Sequence, residues 1–267
     1  MVTTVAAKLL VLGGGNMGSA LVRGLLQSGW DKDDVTITEA REQRRAELTV
    51  EFPGVVVTTD PPRAEEVVLA VKPVDAEGAC RELAGSAVTR VLSIMAGVTT
   101  AHLEAWLGPP TAVVRAMPNT PATVGAGVAA IAAGSSAGAA DLAWAEGILR
   151  AVGEVVRVPE ADLDAVTGLS GSGPAYVFLV AEALIAAGTE AGLPPATSRT
   201  LATATLAGAA RLLVESGEGP ERLRANVTSP GGTTEAGLAV LDARKVREAF
   251  VDAVLAATER SRQLGDG

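Results

Sequence analysis

Residues 1–159 alternate short apolar runs, rich in β-branched residues, with segments whose apolar residues recur at helical spacing. This alternation predicts right-handed βαβ units and a mainly parallel, doubly wound sheet. Runs that are apolar throughout, such as Val67–Val71, are typical of strands covered on both faces. The predicted strands are Lys8–Leu12, Val35–Thr38, Val55–Thr58, Val67–Val71, Val91–Met95, Val113–Met117, Val128–Ala132 and Val155–Val158. The predicted helices between them are Met17–Ser28, Arg41–Glu51, Asp75–Leu83, Thr100–Leu107 and Asp141–Ala151.

After Pro159 the strand pattern stops and only helical segments follow, which predicts an α/β domain over 1–159 and an all-helical domain over 160–267. The helices there are rich in small residues, which let helix backbones approach closely, and several are apolar on more than one face. We expect such surfaces to be hidden in a dimer. The apolar runs within 175–187 are too short for a membrane span and predict one buried helix. The predicted helices are Pro174–Ala191, Ala196–Ser216, Pro220–Ala225, Thr234–Asp242 and Lys245–Gln263.

The composition narrows the class of protein. A net charge of −9 over 267 residues argues against nucleic acid or an anionic membrane as the main partner. One cysteine, Cys80, and one histidine, His102, leave no internal disulfide and predict no metal centre. Residues 1–7 carry no basic residue ahead of the first apolar run, so no secretory signal is expected. The prediction is a cytoplasmic protein.

The first motif along the chain is G-x-G-x-x-G, formed by Gly13, Gly15 and Gly18 between the first strand and the first helix. In a dinucleotide-binding loop the first glycine makes the tight turn, the second lets the backbone reach a pyrophosphate, and the third lets helix and sheet pack. A plain structural turn is the alternative. The surrounding strand and helix favour the dinucleotide.

The end of the second strand bears on the choice of cofactor without settling it. Glu39 could accept a hydrogen bond from a ribose 2′-hydroxyl, which favours NAD, whereas Arg41, Arg44 and Arg45 could hold a 2′-phosphate, which favours NADP. The same charges could equally form a solvated helix face. Three more loops follow predicted parallel strands, where such folds bind ligands: 70–73, 95–98 and 117–121.

Two loops of the helical half are also candidate ligand-binding sites. Residues 168–176 read Gly-Leu-Ser-Gly-Ser-Gly-Pro-Ala-Tyr, and residues 226–234 read Asn-Val-Thr-Ser-Pro-Gly-Gly-Thr-Thr. Glycines, hydroxyls and a helix N-terminus together present donors suited to a carboxylate or phosphate. Close helix packing and a hydroxyl-capped helix explain the same residues.

Taken in order, the motifs at 13–18, 70–73, 96–98, 115–121, 164–176 and 226–234 resemble those of pyrroline-5-carboxylate reductases over nearly the whole chain. The last motif is the most specific to that family. The resemblance implies a Rossmann-type domain followed by an all-helical dimerisation domain. It also implies a dimer, and in many members of the family five dimers assemble into a decamer. The implied reaction is reduction of the cyclic imine L-1-pyrroline-5-carboxylate to L-proline. The expected cofactor is NADPH, with NADH as an alternative, because the family's small hydroxyl residues after the second strand are replaced here by Glu39-Ala40.

The resemblance also assigns site residues. The expected cofactor contacts are Leu12, Gly13, Gly14, Gly15, Asn16, Met17, Glu39, Arg41, Ala70, Val71, Lys72, Pro73, Met95, Ala96, Gly97 and Asn226. The expected substrate-binding residues are Asn226, Ser229, Gly231, Gly232, Thr233 and Thr234. The expected catalytic residues are Thr234 and Glu160.

These residue types suit the chemistry of an imine. A protonated imine already accepts hydride, so the enzyme mainly positions the reactants and binds the carboxylate. Thr234 would hydrogen-bond the ring nitrogen, and Glu160 would stabilise its positive charge.

Three alternatives stay open at this point. A β-hydroxyacid dehydrogenase would need a lysine where this chain has Val177, so a proton acceptor is missing. The substrate could be another cyclic imine. The chain could also be a nicotinamide- or proline-sensing binding protein without turnover.

Overall fold

The computed structural model describes residues 7–265, and these form two compact units: residues 7–172 together with 255–265, and residues Gly173–Val254. The strands are β1 (Ala7–Leu12), β2 (Val35–Thr38), β3 (Val56–Thr58), β4 (Ala64–Leu69), β5 (Arg90–Ser93), β6 (Ala112–Met117), β7 (Gly127–Ala133) and β8 (Gly153–Arg157). The helices are α1 (Asn16–Gln27), α2 (Glu42–Glu51), α3 (Ala76–Leu83), α4 (Thr100–Leu107), α5 (Ala139–Leu149), α6 (Leu163–Val166), α7 (Gly173–Glu190), α8 (Pro195–Ser216), α9 (Pro220–Asn226), α10 (Thr233–Ala243) and α11 (Val246–Gly265).

The strands of the first unit form a doubly wound sheet in the order β3-β2-β1-β4-β5-β6-β7-β8. All neighbouring strands are parallel except β7, which runs antiparallel to β6. The predicted, mainly parallel sheet is therefore confirmed. Leu12 at the end of β1 pairs with both Thr38 of β2 and Leu69 of β4. The strand order reverses between β1 and β4, so the carboxyl ends of these strands meet at a ligand-binding switch point.

The core of this unit lies on both faces of the sheet, as runs without polar positions predict. Leu9 and Val11 belong to one buried cluster, together with residues of α1, α2 and α5. Leu10 and Leu12, which point to the opposite face, belong to a second cluster with residues of α3 and α4. Burial on both faces holds β1 firmly, and with it the loop that follows β1.

The second unit pairs α7 with α8 through small residues. A Cβ on Gly188 of α7 would lie 2.9 Å from Ser198 Oγ of α8, closer than real Cβ atoms come, so glycine is what permits this approach. Ser198 and Ala202 are the buried residues of α8. The expectation of closely packed helices agrees with this contact.

The prediction of a buried helix over 175–187 is half wrong. Residues 173–190 do form α7, but none of these eighteen residues is buried within the chain. The reason is that the apolar side chains of α7, among them Phe178 and Leu179, face away from the packing of this single chain. Within the described residues, one helical stretch, Glu160–Glu190, is also long and apolar enough to cross a membrane by length and composition. Each apolar run is too short by itself, whereas the continuous helical stretch meets that criterion as a whole.

The predicted boundary after Pro159 is not where the compact units divide. Residues 160–172 pack with the first unit, and so does the end of α11, where Ser261 donates a 2.7 Å hydrogen bond to Asp164. A division by packing and a division by function need not coincide, so the two functional domains, 1–159 and 160–267, stay a prediction.

Candidate functional site

The loop from β1 to α1 has a separate steric reason for each glycine of its motif. Gly13 has a φ of +110°, and a Cβ there would lie 2.5 Å from the carbonyl oxygen of Ala70. A Cβ on Gly18 would collide with the carbonyl of Gly13. At Gly15, by contrast, a Cβ would meet nothing within 4 Å, so the backbone is open on that side. The N-terminal N–H groups of α1 begin at this open position, which suits an anion.

A cavity of about 390 Å³ opens at the carboxyl ends of β1, β2 and β4. Eight of the predicted cofactor residues line it: Leu12, Gly13, Gly15, Glu39, Arg41, Ala70, Val71 and Lys72. Its remaining lining residues are Thr38, Ala40, Thr59, Pro61, Asp75, Ala79 and Glu82, which the sequence did not single out. A signal for Thr59 and Pro61 existed, because they directly follow the predicted third strand. The volume is in the range of small-molecule sites.

Glu39 is the buried charge of this cavity, with 8% of its side chain exposed. Its Oε2 accepts the N–H of Gly14 at 3.2 Å, and its Oε1 accepts the backbone N–H of Arg41 at 3.0 Å. The Arg41 guanidinium donates to both oxygens, at 3.0 and 3.2 Å. Burial raises the pKa of Glu39, but the hydrogen bonds and charge of Arg41 outweigh it and hold that pKa below its usual value. Glu39 is therefore ionised at neutral pH.

The other predicted cofactor residues of this unit lie around the cavity without lining it. Gly14 is fixed through its N–H to Glu39, Asn16 is the exposed first residue of α1, and Met17 packs against the core. Pro73 begins a 3-10 turn after Lys72. These residues belong to the loops that border the cavity, but their own atoms are not part of its lining.

The loop after β5 is fixed by its neighbours. Met95 is buried, whereas Ala96 is exposed. Gly97 has a φ of +76°, and a Cβ there would lie 3.3 Å from the carbonyl oxygen of Leu264 in α11. The structure does not place this loop in the lining of the cavity, so its contact with a cofactor stays a prediction.

Glu160 lies at the centre of a hydrogen-bonded cluster in the first unit. The backbone N–H of Thr100, at the start of α4, donates to Oε1 at 2.7 Å, and the Thr100 hydroxyl donates to Oε2 at 2.5 Å. Arg115, with 8% of its side chain exposed, donates to Oε1 at 3.0 Å. Burial raises the pKa of Glu160, yet the hydrogen bonds from Thr100 and the bond and charge of Arg115 together lower it. The sequence did not predict these two partners, because they come from elements 60 and 45 residues away.

The loop at 226–234 lies in the second unit and is largely exposed. Asn226 donates to Glu218, and the N–H of Gly232 donates to the carbonyl of Ser229. The N–H of Gly231 donates to the Glu235 carboxylate at 2.7 Å. Three residues expected to donate to a ligand thus already donate to groups of the protein.

The start of α10 supplies the remaining donors of this loop. Thr233 and Thr234 open the helix after Gly232, and both side chains are exposed. N–H groups in a first helical turn have no partner inside the helix. An anion at this loop would therefore meet the N–H groups of Thr233 and Thr234.

The glycine-rich segment at 168–176 has a packing role. Residues Thr167–Gly171 form a π-helical turn, and the Asn119 side chain donates to the carbonyl of Ser170 at 3.1 Å. The same side chain accepts the N–H of Val128 at 3.0 Å. A Cβ on Gly171 would lie 2.6 Å from Met117 Cε. These contacts favour the structural explanation of this motif.

No group of three or more His, Cys, Asp or Glu side chains within residues 7–265 is arranged to hold a metal ion. Cys80 is buried, and burial raises the pKa of its thiol to about 11. His102 stacks on Trp106 with ring centroids 5.6 Å apart. Neither residue is placed among the candidate site residues.

Comparison with known proteins gives two family models along the chain. Residues 160–264 match the model described as pyrroline-5-carboxylate reductase dimerisation, and residues 8–97 match that of the coenzyme F420-dependent NADP oxidoreductases. The pyrroline-5-carboxylate reductase of Synechocystis is 44% identical over 97% of this chain and 98% of its own.

Solved structures agree with these matches. A pyrroline-5-carboxylate reductase from Coxiella burnetii superposes with a TM-score of 0.89 at 38% identity, covering 97% of this chain and 98% of its own. The pyrroline carboxylate reductase of Plasmodium falciparum with NADP bound gives a TM-score of 0.83 at 29% identity, covering 97% and 98%. The expected α/β domain and the helical dimerisation domain after it are thereby confirmed.

Proposed function

The chain belongs to the pyrroline-5-carboxylate reductase family, and on that premise we propose how its residues carry out the reaction. It is an NAD(P)H-dependent oxidoreductase that reduces L-1-pyrroline-5-carboxylate to L-proline, the last step of proline biosynthesis. The observation that carries the proposal is that a dinucleotide cavity and an exposed hydroxyl-glycine loop occur in one chain that matches the family from end to end.

The cavity of the first unit fits a nicotinamide dinucleotide. The open side of Gly15 and the N-terminus of α1 suit a pyrophosphate, because no side chain blocks the approach of its oxygens. We assign Glu39 and Arg41, which line the cavity after β2, to the adenosine ribose of such a cofactor. When bound, reduced nicotinamide supplies the hydride. We assign the loops at 12–17, 70–73 and 95–97 to holding it, with Asn226 as a further contact.

The loop at 226–234 receives the substrate in this proposal. The N–H groups of Thr233 and Thr234 bind the carboxylate, while the bonds of Gly231 and Gly232 keep the turn in shape. The Thr234 hydroxyl accepts a hydrogen bond from the N–H of the protonated ring nitrogen and keeps that proton in place. Asn226 and Ser229 complete the polar lining. A protonated imine needs no stronger acid than this.

Glu160 serves the reaction by position as well as by charge. Its three donors fix the start of α4 and the buried Arg115, and the carboxylate carries the negative charge that we assign to stabilising the ring nitrogen. The positioning role rests on contacts in the first unit, and mutagenesis of Glu160 tests the catalytic role.

The helical half is a dimerisation domain, so the chain forms a homo-oligomer. We propose a homodimer in which the exposed apolar side chains of α7 are covered by the partner, assembled further into a decamer of five dimers and located in the cytoplasm. Neither nucleic acid nor a membrane has a role in this proposal, since the chain carries a net charge of −9. Val177 of α7 occupies the lysine position of the β-hydroxyacid dehydrogenases, which leaves that reaction without its proton acceptor.

The test compares the purified protein with two cyclic imines and both cofactors. Loss of nicotinamide absorbance with L-1-pyrroline-5-carboxylate, and at least about tenfold lower kcat/KM with the six-membered cyclic imino acid, is expected. A higher kcat/KM with the larger ring would reassign the substrate. Tight cofactor binding without turnover on either ring would favour the sensing protein.

A further inference from the structure

The ribose end of the cofactor cavity carries a fixed negative charge. Glu39 is almost fully buried there, and its two oxygens accept from Gly14 and Arg41. A carboxylate offers about four lone-pair sites, and these donors fill them. Among the described residues, the donors with freedom to leave are those of the Arg41 guanidinium, because that side chain is 66% exposed.

The arginines that follow Glu39 are all engaged within the described chain. Arg44 donates to the carbonyl of Gly14 at 2.8 Å and to Ser19 at 3.1 Å, and it pairs with two glutamates of its own helix. Arg45 donates to the carbonyl oxygens of Glu39 and Ala40, at 2.9 and 2.6 Å. Arg41 is held by Glu39 itself. The Nη1 donors of Arg41 take no part in its pair with Glu39, but a 2′-phosphate that recruits them brings a charge of about −2 close to the buried Glu39 carboxylate.

A ribose without the 2′-phosphate is attracted to Glu39 rather than repelled. Its 2′- and 3′-hydroxyls are donors, and they can take the two positions that the Arg41 guanidinium occupies on Glu39. The Arg41 side chain then moves into solvent, where its charge is hydrated. The Gly14 bond to Glu39 survives this exchange, so the phosphate-binding loop keeps its shape.

We infer that Glu39 is the residue that sets cofactor preference in this chain and that it tilts the preference from NADPH toward NADH, with Arg41 as a placeholder for the ribose hydroxyls. The inference rests on the proposed function only in taking this cavity as the nicotinamide dinucleotide site. The cavity binds NADPH as well, because the repulsion is partly screened by water and salt.

Direct binding, measured by calorimetry without substrate, tests this inference independently of turnover. The wild-type Kd for NADPH is expected to be at least about tenfold above that for NADH at low salt, a difference of about 1.4 kcal/mol. The ratio should shrink as ionic strength rises, because salt screens the repulsion between Glu39 and the phosphate. A wild-type ratio of one or less would overturn the inference.

Two substitutions should change the ratio of the Kd for NADPH to the Kd for NADH in opposite directions. Glu39→Gln keeps an acceptor for Gly14 and removes the charge, so the Kd for NADPH should fall and that for NADH should rise. Arg41→Ala removes the positive charge that screens Glu39, so discrimination against NADPH should increase. Glu77→Gln, which removes an exposed charge paired with Arg81 outside the cavity lining, is the matched control and should leave the ratio unchanged.

The outcomes separate the two proposals. An unchanged ratio in Glu39→Gln would overturn the assignment of Glu39 even if the wild type reduces pyrroline-5-carboxylate. NADH binding with the expected ratio and without turnover would instead contradict the reductase and leave the role of Glu39 standing.

Discussion

Replacing Glu160 by Gln is the most informative perturbation of the first unit. The variant keeps the size of the side chain and removes the charge that faces Arg115. An amide offers one acceptor oxygen where the carboxylate offers two, and its NH₂ group would face the donors of Thr100 or Arg115. Arg115 is then a buried cation without its anionic partner, and the start of α4 loses part of its anchor.

The expected loss of stability follows from these contacts. Hydrogen bonds to charged groups contribute about 1.5–3 kcal/mol each, and breaking a buried ion pair costs about 3–5 kcal/mol. The Glu160 side chain is 29% exposed, which weakens the pair relative to a fully buried one. We therefore expect a loss of about 2–3 kcal/mol, or a Tm lower by about 4–12 °C for a unit of this size.

Thermal unfolding at fixed protein concentration measures this loss, since oligomerisation makes Tm depend on concentration. Glu146→Gln is the matched control: Glu146 pairs with two arginines where Glu160 pairs with one, but Arg150 and Arg157 are 65% and 48% exposed and regain water when the charge is removed. Its Tm should fall by less. An equal fall in both variants, or no fall in Glu160→Gln, would refute the role of the buried cluster.

The pH dependence gives a second readout. The pKa of Glu160 is lower in the folded protein than its usual 4.5, so its stabilisation is present above the unfolded pKa and is lost as pH falls through the folded pKa. The difference in Tm between wild type and Glu160→Gln should be largest above about pH 5 and shrink below it. A difference that grows on acidification would contradict the direction of the shift.

Kinetics separate position from catalysis at this residue. Thr100→Val removes the hydroxyl bond to Glu160 without removing a charge. If Glu160 only positions, both variants should keep kcat within about tenfold of wild type below their Tm values. A fall in kcat of about 100-fold or more in Glu160→Gln alone would show that its charge acts on the reacting nitrogen.

Two further substitution pairs test the loops. Gly15→Ala should leave Tm unchanged, because the added Cβ meets open space in the chain, and should raise the Kd for NADPH at least about tenfold, because that Cβ would meet the pyrophosphate. Gly18→Ala should lower Tm, because its Cβ collides with Gly13. Calorimetry measures the Kd and unfolding scans measure the Tm of the two glycine variants. Equal effects of both variants on Kd and on Tm would contradict the assignment of Gly15 to the pyrophosphate. Thr234→Ala should lower kcat by a larger factor than it raises the Kd for NADPH, and Thr234→Ser should restore kcat. Equal effects on kcat, measured by stopped flow, and on Kd would contradict a role of the hydroxyl in the transition state.

Most of the fold could be predicted because its signals are local. Each predicted strand and helix has a counterpart in the structure, since apolar runs and helical spacing report directly on burial. Among the strands, the largest boundary error is at β4, which begins at Ala64 rather than Val67. Two glutamates conceal its start, and the second of them, Glu66, is compensated by pairing with Arg90 on β5. Such a cross-strand pair is invisible until the register is known.

The candidate site was predictable where one loop makes it and hidden where distant elements meet. Eight of the expected cofactor residues line the cavity, and Gly13 and Gly15 among them were found from the motif alone, because its glycines are required by a specific backbone geometry. The partners of Glu160 and the engagement of Arg44 by Gly14 depend on tertiary contacts across tens of residues. The exposure of α7 could not be predicted either, because helical spacing indicates an apolar helix without indicating whether its own chain covers it.

The central claim, hydride transfer to the C=N carbon of a five-membered cyclic imino acid, is tested most directly by isotope transfer. The enzyme is incubated with L-1-pyrroline-5-carboxylate and NADPH or NADH that carries deuterium at both positions of nicotinamide C4, so that label is transferred from either face, and the product is analysed by mass spectrometry and NMR. The account predicts L-proline with one deuterium at C5, formed in equal amount to the oxidised cofactor. Cofactor binding without labelled proline, or label at any other carbon, would contradict it.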